Sequence, residues 1–296
     1  MVEHTIRSLL KEGMILLRES GCPSYILDAE LILCHILDMT RIDIIKYRDR
    51  VLGEEEAVDF FRLVEERKKG KPIQYITGCQ EFMGIDFCVR ENVLIPRPDT
   101  EILVEKTLEL LKGKEKLRIA DVCTGSGAIA VSLAYYIPHA YVYAADISED
   151  ALECCRRNIE RHQLGRRMKQ LRGDLLEPLF EEGLEGSLDA LVSNPPYISK
   201  KDMDSLPTGV RCFEPHLALY GGREGMDFYA RILKDADKLL KKGGLLAFEI
   251  GYDQGRALKK IIQDHGIYKD VRIEKDLAGL DRIVYCYLEE YVKMYD

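Results

Sequence analysis

Leu117-Arg118-Ile119-Ala120-Asp121-Val122-Cys123-Thr124-Gly125-Ser126-Gly127-Ala128 is the stretch whose reading decides the fold. An apolar run short enough for a buried strand gives way to a glycine-rich turn, and the turn opens onto the helical run Ala128 to Tyr136. A second strand follows over Ala140 to Ala145. Ser148 then suits the cap of a further helix, with Glu149 and Asp150 in its first turn. Strand, helix, strand, helix in this order demands a mostly parallel sheet covered by helices on both faces.

The pattern continues to the C-terminus. Met168 to Arg172, Leu188 to Val192 and Leu245 to Ile250 read as strands, and Met226 to Leu240 reads as a helix before the last of them. Tyr268 to Ile273 and Arg282 to Leu288 close the series, which makes seven strands.

Upstream the texture differs. Ile6, Leu9, Leu10, Met14 and Leu17 fall on one helical stripe, and Ile26 to Leu37 carries a richer one. Ala57, Phe60, Phe61 and Val64 form a third, started by Glu54-Glu55-Glu56 and stopped by Arg67-Lys68-Lys69 before Gly70. Pro72 to Gly78 and Phe82 to Val89 alternate and carry turn glycines, so they are expected to pair as a β-hairpin. Pro98 fits the first turn of another helix, with Asp99 and Glu101 at its positive end. The expected organisation is a helical domain over residues 1–71, a hairpin linker over 72–95, and an α/β domain over 96–296.

The composition is that of an ordinary globular protein: 296 residues, 46% apolar, 32% charged, formal charge −8. That charge argues against a protein that grips nucleic acid through its phosphates. Nine cysteines without a CxxC pair, and six histidines without a ligand spacing, imply reduced thiols and no metal site. No leader pattern opens the chain and no run is long enough to span a bilayer, so a cytoplasmic place is expected.

Beyond the strand Leu188 to Val192 stands Ser193-Asn194-Pro195-Pro196-Tyr197. Two successive prolines fix φ near −65° and remove two donors. The corner is left with acceptors, the Asn194 side-chain oxygen and the Pro195 carbonyl, and beside them the flat face of Tyr197. A stiff pair of acceptors beside a ring suits a planar group that carries an NH₂. In a parallel sheet, ligands lie beyond the carboxyl ends of the strands, where Asn194 falls.

The glycine loop admits two cofactors. Gly125-x-Gly127-x-x-Ala130, with Asp146 about twenty residues on, satisfies a nicotinamide dinucleotide fingerprint. Three features favour S-adenosylmethionine instead. Asp121 ahead of the glycines suits an ammonium and repels a pyrophosphate. Asp174, in Gly173-Asp174-Leu175, is placed to accept from an adenine amino group, as Asp146 is from ribose hydroxyls. The Asn-Pro-Pro-Tyr corner suits methyl transfer to nitrogen and has no use in hydride transfer.

From Pro72 to about Arg282 the chain resembles the protein-(glutamine) methyltransferases that modify peptide chain release factors, the PrmC/HemK family. The resemblance rests on Pro72 to Tyr75, Leu94 to Glu101, Thr124 to Gly127, Ser193 to Ile198, Glu214-Pro215 with Ala218-Leu219, Glu249 to Gly251, and Asp276 to Gly279. It implies a Rossmann-like class I methyltransferase domain after a helical domain that helps bind the release factor. It implies that Asn194, Pro195, Pro196 and Tyr197 hold the glutamine of a Gly-Gly-Gln loop. S-adenosylmethionine would then lie against Asp121, Cys123, Thr124, Gly125, Ser126, Gly127, Asp146, Asp174, Leu175 and Asn194. Cys123 stands where many relatives have glycine. The competing expectation, methylation of an adenine or cytosine flipped from nucleic acid, needs a basic groove that the sequence does not offer.

Overall fold

The computed structural model describes residues 4–289; the first three residues of the expected helical domain and the last seven of the expected α/β domain lie outside them. The chain divides into two compact units. One runs to Cys79 and also takes in Pro207–Phe213; the other comprises Gln80–Leu206 and the described residues from Glu214 onward.

The first unit is helical: α1 Ile6–Glu19, α2 Tyr25–Leu37, α3 Arg41–Lys46, α4 Glu54–Lys68 and α5 Ile73–Thr77. The stripes read from the sequence meet in one core, where Ile6, Leu9, Leu17, Ile32, Leu33, Phe60 and Val64 are fully buried. Thr5 caps α1 in a reciprocal box with Ser8, and the Glu56 side chain accepts from Gly53 N at 2.7 Å ahead of α4. Buried Asp28 is held by Arg67 at 2.7 Å. The basic end of α4 therefore pairs within the unit as well as ending a helix.

The hairpin expectation needs correction. Pro72 to Gly78 is not a strand: Ile73–Thr77 is a helical turn, entered from Pro72 and ended by Gly78 in the left-handed conformation. Tyr75 and Ile76, neighbours in the chain, are both buried, as a helical turn allows and the alternating faces of a strand do not. The hairpin is confined to β1 Cys79–Phe82 and β2 Ile85–Cys88, whose Phe82 and Phe87 pack edge to face.

In the second unit α6 Pro98–Leu110 begins at its proline as expected. β3 Arg118–Val122, α7 Ala128–Tyr136, β4 Tyr141–Asp146, α8 Glu149–Arg161, β5 Met168–Arg172, β6 Leu188–Ser193, β7 Leu240–Glu249, β8 Tyr268–Lys275 and β9 Asp281–Leu288 follow. The strand order is β5-β4-β3-β6-β7-β9-β8, with β9 antiparallel to both neighbours. The helix expected over Met226 to Leu240 is broken. It forms as Asp227–Leu233 and Ala236–Leu239, interrupted at Asp235, and β7 already begins at Leu240. Among the described residues no helix is long and apolar enough to cross a membrane.

The chain runs outward through β3, β4 and β5, then returns to the other side of β3 with β6. Val122 is level with Ala145 on one side and Ser193 on the other. The glycine loop, the turn after Asp146 and the Asn194 corner therefore leave the sheet side by side, at the switch point where such sheets bind ligands.

Candidate functional site

A cleft of about 230 Å³ opens at that switch point. The three strand ends line it, together with residues of the Asn92–Thr100 segment and Pro215, Leu217 and Ala218. Cys123, Thr124, Gly125, Ser126, Asp146, Asp174, Leu175, Asn194 and Pro196 all line it. Asp121, Gly127, Pro195 and Tyr197 do not, and Asp121, Gly127 and Tyr197 have structural tasks instead.

Asp121 is fully buried beneath the loop. One carboxylate oxygen accepts from the Thr124 hydroxyl at 2.5 Å and from Ala130 N, in the first turn of α7, at 3.1 Å. It braces the turn from below, while its other oxygen, Oδ1, is buried without a hydrogen-bond partner among the described residues. Burial pushes its carboxyl up to about 7. Gly127 has φ +82°, and a Cβ there would come within 2.6 Å of Cys155 Sγ. It is glycine so that the start of α7 can lie against α8. Cys123 takes up a left-handed φ of 61°, the strain its position demands of a non-glycine residue, and burial keeps its thiol protonated.

Asp146 closes the loop from the side: Oδ2 accepts from Gly125 N at 2.8 Å and Oδ1 from Ser148 N at 2.9 Å. Burial raises its pKa in spite of these amides. Asp174 faces the cleft with Oδ2 paired to Arg231 at 2.5 Å, so one of its oxygens is already committed. Two carboxylates in the cleft, beside the N-terminus of the nine-residue α7, suit a ligand with a cationic or hydroxyl-rich part and a carboxylate.

The corner after β6 is fixed from behind. Ser193 Oγ donates to Val122 O at 2.5 Å, and Gln254 Nε2 donates to Tyr197 O at 2.9 Å. A Cβ on Gly221 would stand 2.5 Å from Pro196 O and 2.6 Å from Tyr197 Cα, so only glycine lets that chain back the prolines. Asn194 Nδ2 donates to Thr100 Oγ1 at 3.2 Å, which leaves Oδ1 as the acceptor toward the cleft. The half-buried Tyr197 ring packs against the apolar core on its side of the sheet, and its hydroxyl donates to Glu249 Oε1 at 3.2 Å. Its ring is held as part of the corner and is not a free platform in the cleft.

Five residues here had no role in the sequence reading, although four lie inside its quoted motifs. Thr100 supports Asn194; Arg97, on the cleft wall, is ion-paired with buried Glu214. Buried Glu249 lies under Tyr197. Phe228 adds an aromatic surface to the lining. A charged residue inside an apolar run is the signal that points to Glu249; nothing local distinguishes Phe228.

Residues 8–78 match the PrmC N-terminal domain, and residues 98–208 match the methyltransferase small domain. A release factor glutamine methyltransferase of Moorella thermoacetica is 45% identical over 286 residues, which is 97% of this chain and 99% of the relative. One from Clostridium botulinum is 41% identical over 94% of this chain and 98% of its own. A methyltransferase from Pyrococcus furiosus, solved by crystallography, shares the fold with a TM-score of 0.51 at 21% identity, covering 70% of this chain and 90% of that one.

Proposed function

Starting from the family to which this chain belongs, the release factor glutamine methyltransferases, we propose that it methylates the glutamine side-chain amide in the Gly-Gly-Gln motif of peptide chain release factors, using S-adenosylmethionine. The observation that carries the reading is the Asn194 amide, whose NH₂ is spent on Thr100 so that an oxygen is left for a substrate NH₂.

Thr124, Gly125, Ser126, Asp146, Asp174 and Leu175 would hold the cofactor, with Cys123 against it; Asp121 and Gly127 shape the loop that does so. S-adenosylmethionine, when bound, supplies an electrophilic methyl group. The protein's own work is to present the nucleophile. An amide nitrogen is a poor one because its lone pair is delocalised into the carbonyl. Asn194 Oδ1 and the Pro195 carbonyl accept its two N–H bonds, which fixes the nitrogen and turns its remaining lobe toward the methyl donor's side of the cleft. Such positioning contributes up to about 7–11 kcal/mol of barrier reduction. Pro196 stiffens the turn, and Tyr197 fixes its far end. After transfer the nitrogen is acidic enough to release its proton to water, so neither Asp146 nor Asp174 is needed as a base.

Residues 1–71 are the release-factor reader in this account, 72–95 the linker, and 96–296 the catalytic domain. The helical unit exposes Ile42 and Ile45, 77% and 67% accessible, on α3. Ile42→Asp with Ile45→Asp should raise KM for intact release factor about tenfold, a loss of roughly 1.4 kcal/mol, and leave a short Gly-Gly-Gln peptide unaffected. With a translation factor as substrate, the site of action is the cytoplasm.

The test supplies labelled S-adenosylmethionine with purified release factor and, separately, with DNA and RNA. Label on the release factor alone supports the reading. Label on adenine or cytosine would replace it with the nucleic-acid alternative.

A further inference from the structure

The motif Asp276-Leu277-Ala278-Gly279 has no part in the reaction as described, yet its turn, between β8 and β9, is held more firmly than a connection needs. The Asp276 side chain is tucked beneath the turn, 6% accessible. Its Oδ1 accepts from Ala278 N and Leu280 N, both at 2.9 Å, and its Oδ2 takes the Arg282 guanidinium at 3.0 Å. Asp276 N donates to Leu280 O at 2.8 Å, Gly279 N donates to Asp276 O at 2.9 Å, and Gly279 stands at φ +80°. The turn thus holds its shape through its own hydrogen bonds. At its tip Leu277 is wholly exposed. An exposed leucine on a loose loop is ordinary, but one presented on a pinned turn is a preformed knob.

The place of the turn on the sheet says what it can meet. β9 runs antiparallel to β7 with Ile283 level with Glu249, so the start of β9 lies at the carboxyl edge where β7 ends. The turn therefore stands on the same rim as the Asn194 corner. In the order β5-β4-β3-β6-β7-β9-β8, Asp174, Asp146 and the glycine loop follow β5, β4 and β3, and the corner follows β6. A protein that puts one side chain into the corner has the rim over β7, β9 and β8 left to rest on. There Tyr252, in the loop after β7, is 63% accessible and Leu280 45%. Gln254 of that loop donates to Tyr197 O at 2.9 Å, and a Cβ on Gly255 would come within 2.6 Å of Asp281 Oδ2, so the loop adjoins both the corner and the start of β9. Arg282 adds a second tie: besides Asp276 it takes Asp99 at 3.1 Å, the neighbour of the Thr100 that holds Asn194. Knob and corner are set at a fixed separation.

We infer that the Asp276–Leu280 turn docks the substrate protein: Leu277 seats in an apolar recess of the release factor while the factor's glutamine occupies the corner. This rests on the reading of the chain as a release factor methyltransferase. The tip, Leu277-Ala278-Gly279, carries no charge to meet a phosphate backbone, and its aliphatic side chain gains only from a dry recess. A short peptide has no such recess and gains nothing from the knob. Because the turn is already fixed, seating it costs little ordering, so the withdrawal of Leu277 from water goes into grip on the folded partner.

The deciding experiment compares steady-state methyl transfer to intact release factor and to a short Gly-Gly-Gln peptide, for the whole chain and two variants. Leu277→Asp should raise KM for the intact factor about tenfold or more, with kcat, S-adenosylmethionine affinity and KM for the peptide each within about twofold. Leu277→Met, which keeps an apolar tip, should stay within about threefold of the unaltered KM. Position 277 is wholly exposed, so both variants should fold and melt as the unaltered chain does. An unchanged KM for the intact factor in Leu277→Asp would overturn the inference, as would an equal loss on the peptide. Sedimentation adds a check: an unaltered dimer that Leu277→Asp turns into a monomer would give the knob to a second copy of this chain and overturn its docking of the factor. Absence of transfer by the unaltered chain would overturn the functional reading itself, and the docking role with it; that failure shows before any variant is made, so the two are told apart.

Discussion

Two strand ends meet in the cleft, and they are made rigid by different means. At the end of β3, buried carboxylates hold backbone: Asp121 takes Ala130 N and Asp146 takes Gly125 N and Ser148 N. At the end of β6, carboxylates hold side chains: Glu249 takes the Tyr197 hydroxyl and Glu214 takes the Arg97 guanidinium. The first arrangement shapes a loop whose amides and turn a cofactor can use whatever the neighbouring side chains are. The second orients individual functional groups, of which the Asn194 carboxamide matters most. The cofactor side should therefore fail gradually when altered, and the substrate corner abruptly.

The sharpest break of that contrast is Asn194→Ala. It should reduce single-turnover methyl transfer roughly 10³-fold, the scale of losing an oriented polar group at a reacting centre, with cofactor affinity nearly unchanged. A loss of only a few-fold would mean that the corner positions nothing.

Paired glycine substitutions sharpen it further. Gly221→Ala pushes a Cβ onto Pro196 O and should cut the rate about 10²-fold, because a displacement of about 1 Å at the corner is felt directly in the reaction. Gly127→Ala meets Cys155 Sγ and a φ of +82°, so it should cost about 2–3 kcal/mol of stability in denaturant unfolding while surviving molecules still turn over. Equal effects on rate would erase the distinction between the two sides.

Asp146→Ala removes an acceptor from two loop amides and from the cleft. Calorimetry should show S-adenosylmethionine binding weakened by about 1–3 kcal/mol. Unchanged affinity, or tight binding of NAD, would return the glycine loop to its rival reading.

The smallest effect is on stability against pH. Asp121 is raised from its ordinary range to about 7 in the folded state, so the native protein holds a proton that the unfolded chain gives up near pH 4. The contribution is complete below about pH 4 and is lost as pH rises through 7. Melting should fall by several degrees between about pH 5 and 8, and Asp121→Asn should flatten the slope.

Much of this was legible because local chemistry and global fold agree. The glycine loop, the Ser148 cap, Pro98 at its helix start and the strand Met168–Arg172 all declare themselves within a few residues. Pro72 to Gly78 misled because five residues of alternation fit one helical turn as well as a strand, and the left-handed Gly78 decides. The break at Asp235 was invisible because Ala236–Leu239 continues the apolar pattern of a helix. The site was legible by residue but not by direction. Asp121 points under the loop instead of into the cleft, and no spacing reveals that. The Asn194–Thr100 bond joins residues 94 positions apart, which no local pattern announces.

The central claim is that the Asn194 corner methylates one glutamine amide, and mass spectrometry of a peptide chain release factor tests it most directly. After incubation with the enzyme and S-adenosylmethionine, the account predicts one added methyl on the glutamine of the Gly-Gly-Gln motif, and none when that glutamine is replaced by glutamate. A methyl group elsewhere on the factor, or one that persists after the replacement, would contradict it.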